Sequence, residues 1–201
     1  NIEVFDEPSY FKDIPKFHQI IHEVDMANNF QVYYKKDKTK LSKEINDAIL
    51  RGLKYSAKEY SDAIDFMKQS YESYKEVFDD YYGILTPSTN GVADKGFGST
   101  GSADFQKIWT YLGLPAISLP LLTGENDLPL GLQLVGNKFD DLRFLGTAKW
   151  LEDNCKDEWQ NFKDSRMFFS YNIFSRFGYH INKISYCLLY TSDAADEKYR
   201  G

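Results

Sequence analysis

Ser99-Thr-Gly-Ser-Ala-Asp-Phe-Gln-Lys-Ile-Trp-Thr-Tyr-Leu-Gly-Leu-Pro-Ala-Ile-Ser-Leu-Pro120, followed by Leu128-Pro-Leu-Gly-Leu-Gln-Leu-Val-Gly136, decides how this chain is read. Ser102 can cap a helix, with Asp104 in the first turn, where a carboxylate meets free backbone N–H groups. Ala116-Ile-Ser-Leu119 and Leu130-Gly-Leu-Gln-Leu-Val135 are short apolar runs bounded by Pro and Gly, which suits strands buried on both faces. Thr123-Gly-Glu-Asn-Asp127 is short enough to join them as a hairpin.

Working outward, Gly83-Ile-Leu-Thr86 is a third strand, and Asp140-Asp141 opens a helix whose apolar residues are Leu142, Leu145, Ala148 and Leu151. Strand and helix alternate, which predicts an α/β fold with a mixed sheet covered by helices. The preceding stretch, from Phe5 to about Asp80, reads as helical. Tyr60, Ala63, Ile64, Met67, Tyr71, Tyr74 and Phe78 recur at steps of three and four, one buried face. Ser56-Ala-Lys-Glu59 is a capping box at its start. Leu41, Ile45, Ala48, Ile49 and Leu53 form the face of an earlier helix, and Pro15 fits the first turn of one before that.

Residues 1–155 are therefore expected to form one body, helical over 5–80 and strand and helix over 82–153. Residues 156–186, rich in Phe, Tyr, Ser, Asn and Lys, show no sustained period and read as an extension of unassigned structure. Cys187-Leu-Leu-Tyr-Thr-Ser-Asp-Ala-Ala-Asp-Glu197 resembles the translation of a sequencing adapter, so 187–201 reads as a non-native tail to be set aside from fold reasoning. Residue 1 is Asn rather than Met, which a processed or truncated chain would explain.

The composition narrows the partners. With 201 residues and 42% hydrophobic content there is apolar surface for a core. A formal net charge of -6 argues against a nucleic-acid partner, whose phosphates recruit Lys and Arg. Lys35-Lys36-Asp37-Lys38-Thr39-Lys40 reads as a solvated turn between helices. Two cysteines make no disulfide framework, and no apolar run approaches the length of a membrane span. A soluble, cytoplasmic protein is expected.

Candidate chemistry is sparse. Gly96-Phe-Gly-Ser-Thr-Gly101 matches G-x-G-x-x-G in letters, but the nearest strand ends some ten residues earlier, so a loop is the better reading. His18 and His22 would share one helix face, yet no third ligand stands near them. A serine nucleophile needs a base, either a His or a Lys whose pKa burial has lowered. Neither G-x-S-x-G nor S-x-x-K is read in the chain, and Ser99 or Ser102 with Lys95 or Lys107 are loose combinations. No catalytic residue, metal ligand or cofactor is assigned on these grounds.

Thr86-Pro87, Thr100-Gly101, Phe105, Trp109, Gly113-Leu-Pro-Ala116, Leu119-Pro120, Leu128 to Gly136, and Phe139-Asp140 running to Glu152 occur in an order that resembles the C-terminal part of the amidase signature family. The likeness covers 82–153 and extends more weakly over the upstream helices. It implies the C-terminal portion of that fold, preceded by a helical stretch. It also implies amide C–N hydrolysis by a Ser, a second Ser on a cis peptide and a Lys, none of which matches a residue here. The fragment alone is therefore expected to be inactive, and Ile84, Ile117 and Leu132 are expected to lack a covering sheet. By the same resemblance Thr100, Gly101, Ala103, Phe105 and Trp109 line the substrate channel, with core packing the competing role for Phe105 and Trp109. The implied partner is a small-molecule amide, and a homodimer is among the assemblies open to a full-length enzyme. Two other readings stand beside this one: the A subunit of an aminoacyl-tRNA amidotransferase, and a non-catalytic helical binding protein. The wording of Trp109 to Ala116 is closer to general amidases than to the former.

Overall fold

The computed structural model describes residues 2–5, 8–96, 98, 101–161 and 187–191. They fall into two compact units, Asp13–Ser73 and the remainder.

The first unit is helical, as the apolar spacing predicts. Helix α1 spans Ile14–Asp37, with Pro15 in its first turn; α2 spans Lys43–Gly52 and α3 Ala57–Tyr74. Ser42 caps α2 by accepting from the Ile45 N–H at 3.3 Å. The capping box before α3 forms in full, because Glu59 accepts from the Ser56 N–H at 2.8 Å while Ser56 Oγ accepts from the Glu59 N–H at 3.2 Å. Hydrogen bonds from the Ser56 N–H and the Ser56 hydroxyl hold the Glu59 carboxyl below its usual range. Between the helices, Phe17 meets Phe66 at 4.4 Å between ring centres, and Tyr60 donates to Asp25 at 3.1 Å. Buried Glu23 accepts from Gln19 at 3.0 Å and from Arg51 at 2.7 Å on a single oxygen.

The second unit holds the sheet: β1 Ile2–Phe5, β2 Tyr81–Pro87, β3 Ala116–Thr123, β4 Pro129–Val135 and β5 Cys187–Thr191, in the order β1-β5-β2-β4-β3. Helix α4 (Val77–Asp80) leads into β2, α5 (Asp104–Leu112) lies between β2 and β3, and α6 (Asp141–Asn161) follows β4. The expected β3–β4 hairpin is present, closed by a turn in which Asn126 and Asp127 both take positive φ of 56°. Every described pairing is antiparallel, so the parallel component of the expected mixed sheet is not found among the described residues.

Several expectations are corrected. Phe5 ends a strand instead of opening a helix, since Ile2-Glu-Val-Phe5 alternates with the strand period and pairs with β5. Residues 187–191 form that pairing strand. Ile84 and Leu132 do not lack cover, being 0% and 1% exposed, and Ile117 is partly buried against the core beside them. In α6 the buried residues are Phe144, Thr147, Ala148 and Leu151, whereas Leu142 and Leu145 are 90% and 55% exposed. The stripe is set by the aromatic ring, because Phe144, Ala148 and Leu151 follow one another at steps of four and three.

Register divides β2, β4 and β3 into two unlike faces. Leu85 pairs with Leu134, and Leu119 with Leu132, and these leucines pack with Leu121 against Phe144, Ala148 and Leu151 of α6. Each such side chain removed from water stabilises the fold by about 1.5–3 kcal/mol. One residue along, Thr86 and Ser118 both pair with Gln133, and this row lies on the opposite face, where α5 packs.

Candidate functional site: a polar seam beneath helix α5

The residues under the first turn of α5 carry hydroxyls and carboxamides where an apolar side chain would be the simpler filling. Gln133, 4% exposed, donates its Nε2 both to Thr86 Oγ1 and to the Phe105 carbonyl, each at 3.1 Å. Ser88, just past the end of β2, donates its N–H (3.0 Å) and its Oγ–H (2.8 Å) to the Gly131 carbonyl. Ser118 Oγ donates in turn to Ser88 Oγ at 3.0 Å. Gln106, in the first turn of α5, donates Nε2 to the Ser88 carbonyl, and its buried Oε1 has no hydrogen-bond partner among the described residues.

Gly131 makes this seam sterically possible. A Cβ on it would run into both Ser88 Oγ and Ser118 Oγ, far inside contact distance. On the solvent side of the same turn, Ser102 Oγ accepts from the Asp104 N–H at 3.2 Å, although the capping position itself is held by Ala103. The Asp104 carboxyl is held below its usual range chiefly by Lys107, 2.6 Å away, then by hydrogen bonds from Ser102 and Asn90. At its other end α5 stops on Gly113 in the left-handed region (φ 68°). Burial raises the pKa of Tyr111 in its last turn.

The sequence-derived pocket residues divide between surface and core. Gly101 and Ala103 are exposed, Gly101 with φ of +80° and open space around it, while Thr100 lies outside the described residues. Phe105 and Trp109 are 8% and 3% exposed. Trp109 belongs to an aromatic cluster, its ring centre 6.2 Å from Tyr74 and 6.5 Å from Phe11, which lie 5.0 Å apart. Those two side chains pack inward and the exposed residues at the helix start face solvent.

The seam is not a nucleophile–base pair. Ser88 gives its single proton to a carbonyl and Ser118 gives its own to Ser88, so among the described residues neither hydroxyl bonds a group that could deprotonate it. Sequence reasoning also missed one S-x-x-K spacing, Ser9-Tyr-Phe-Lys12. It forms a 3-10 turn with Ser9 and Lys12 exposed, unlike the buried Lys that such chemistry needs. His18 and His22 stack at 5.8 Å between ring centres, and among the described residues no group of three or more His, Cys, Asp or Glu could hold a metal. Among those residues, too, no helix is long and apolar enough to cross a membrane.

Ser88, Gln106, Ser118 and Gly131 were absent from the sequence-derived site. A legible signal existed: Gly131 and Gln133 stand two apart within the apolar run Leu130 to Val135, which puts a missing side chain and a carboxamide on one face.

The fold of this chain is similar to that of solved amidases. A crystal structure of an amidase superposes with a TM-score of 0.58 at 22% identity, over 73% of this chain and 36% of that one. A bacterial aryl acylamidase of the amidase signature family gives 0.56 at 13% identity, over 75% and 35%. The Amidase family profile matches residues 8–145, and the chain belongs to that family. Among curated relatives, the A subunit of glutamyl-tRNA(Gln) amidotransferase from Wolinella succinogenes is 34% identical over 63% of this chain and 31% of its own length. The protein of the same name from Brevibacillus brevis is 30% identical over 67% and 31%. The chain thus spans about a third of the length of these relatives.

Proposed function

We propose that this chain forms the C-terminal wall of an amidase that hydrolyses amide C–N bonds, the nucleophilic Ser, the bridging Ser and the Lys base coming from residues outside these 201. The observation that carries this reading is the coincidence of the family match with a site whose hydroxyls are all committed to structural acceptors. In that enzyme Thr100, Gly101 and Ala103 face a small amide substrate from the start of α5, while Phe105 and Trp109 back the wall from within. Selection there is by shape and apolar contact.

The purified 201-residue chain is expected to leave aryl and alkyl amides intact, whereas the same residues joined to their upstream coding sequence hydrolyse them. Turnover by the chain alone, with contaminating activity excluded, would overturn the assignment of chemistry to the missing segment.

A second reading is the A subunit of a glutamyl-tRNA(Gln) amidotransferase, favoured by the 30–34% identity to proteins of that name. The upstream segment separates the two. A free-standing enzyme hydrolyses a simple amide unaided, and a component of a complex requires partner genes encoded beside it. The binding-protein reading has no comparable support, because the family match extends over both the helical stretch and the sheet.

A further inference from the structure

An excursion of the chain joins Ser88, just past the end of β2, to the first turn of α5, and its two ends are tied directly to each other. The tie is the Gln106 carboxamide, which donates to the Ser88 carbonyl. Ser88 is itself fixed, since its N–H and hydroxyl both bond the Gly131 carbonyl and Ser118 bonds its oxygen from β3. The α5 side is fixed by Gln133, which holds the Phe105 carbonyl. Two carboxamides, one from the helix and one from the sheet, therefore join the same two elements in opposite directions.

This arrangement exceeds what packing requires. A chain segment of this length closes with only a modest entropic cost that grows slowly with length, so its ends need no dedicated clasp to stay in the fold. A clasp does fix where the helix start lies relative to β2, to within the tolerance of a hydrogen bond. Outside it Asn90 bonds the Asp104 carboxylate, a second contact from the excursion to the same helical turn. Among the described residues Gln106 Oε1 is buried without a hydrogen-bond partner, so the described polar contact of this carboxamide is the one its Nε2 donates.

We propose that Gln106 is a positioning residue: acting through Ser88, it sets the place of Gly101 and Ala103 in the substrate wall. The assignment of a wall rests on the amidase reading above, while the clasp is tested without it.

Hydrogen exchange in the 201-residue chain, followed on the Ser88 amide and on the Gln106 and Lys107 amides that bond the Ala103 carbonyl, reads the clasp directly. Gln106→Met keeps the volume and loses the donor, and it should lower protection there roughly fivefold to tenfold, the worth of one buried hydrogen bond. Thr110→Ala, exposed on the same helix, should leave protection unchanged. Gln106→Glu supplies a test of the proton itself. Its carboxylate repels the Ser88 carbonyl at pH 7, and its protonated form, the majority species below the ordinary glutamate pKa of about 4.3, donates at pH 3.5, so protection corrected for intrinsic exchange should be lost at the higher pH and restored at the lower.

Unchanged protection in Gln106→Met, loss spread equally over β2 and β4, or no pH dependence in Gln106→Glu would each overturn the proposal. In the enzyme carrying its catalytic segment, Gln106→Met should raise KM severalfold with kcat retained, and an unmoved KM would sever the clasp from the substrate wall. If that enzyme proved inactive, the amidase reading would fail while the exchange result stood.

Discussion

The two faces of the β2-β4-β3 sheet are built from the same strands in one register, and they hold their covering helices by opposite means. Toward α6 the contacts are leucine against Phe144, Ala148 and Leu151, without direction and tolerant of small shifts. Toward α5 the contacts are hydrogen bonds from Gln106 and Gln133 to specified carbonyls, which lose their value if the helix moves by a fraction of an ångström. The apolar face supplies stability. The polar face supplies direction, through hydrogen bonds to named carbonyls.

Substitutions that separate these roles rank by size. The largest effect belongs to the apolar face: Leu132→Ala or Leu134→Ala, at 1% and 0% exposure, should cost about 2–5 kcal/mol in urea unfolding of the chain. A loss under about 1 kcal/mol, the scale of one hydrogen bond, would erase the distinction drawn between the faces. Gly131→Ala comes next. Its new methyl meets two hydroxyls that are themselves anchored, for an expected cost of about 1–3 kcal/mol, part of which Ser118→Ala should return. Additive single effects would show that Gly131 and Ser118 do not share the seam. Gln133→Leu removes one donor from two acceptors and should cost about 1 kcal/mol, with the change in hydrogen exchange concentrated around Phe105.

That difference between the faces also governs what the sequence could disclose. Short apolar runs bounded by Pro and Gly identify buried strands, so β2, β3, β4 and their hairpin are readable, and capping residues with apolar spacing disclose α5 and α6. Family likeness is readable too, through ordered short phrases from Thr86 to Glu152. A hydrogen-bonded seam has no period. Ser88 sits past the end of a strand and Gln106 has the spacing of an ordinary helix surface residue, and only the fold brings them together. Trp109 illustrates the converse, a residue nominated for a pocket whose partners Phe11 and Tyr74 lie far away in the sequence and draw it into the core.

The polar face should also respond to acid. Asp104 has a depressed pKa in the folded chain, so its contribution is fully present above its unfolded value of about 3.9 and is lost as pH falls through the lower folded value. Asp104→Asn removes that contribution. Melting temperatures of the two proteins should differ slightly at pH 6 and converge toward pH 3, and the difference stays small because the Asp104 and Lys107 side chains are 40% and 38% exposed. A gap that widened on acidification would show that the carboxylate is destabilising, contrary to its contacts with Lys107, Ser102 and Asn90.

The smallest effect is expected where the apolar pattern misleads. Leu142 and Leu145 belong to the α6 series that periodicity selects, yet Phe144 turns the helix so that its own ring, with Ala148 and Leu151, meets β3 and β4. A leucine that is 90% exposed has little hydrocarbon left to return to water on unfolding, so Leu142→Ser should change stability by no more than about 0.5 kcal/mol. Phe144→Ala on the same helix should cost about 3–5 kcal/mol. The ratio between the two measures how strictly the apolar face fixes the rotation of α6, and comparable losses at both positions would mean that Leu142, not Phe144, sets that rotation.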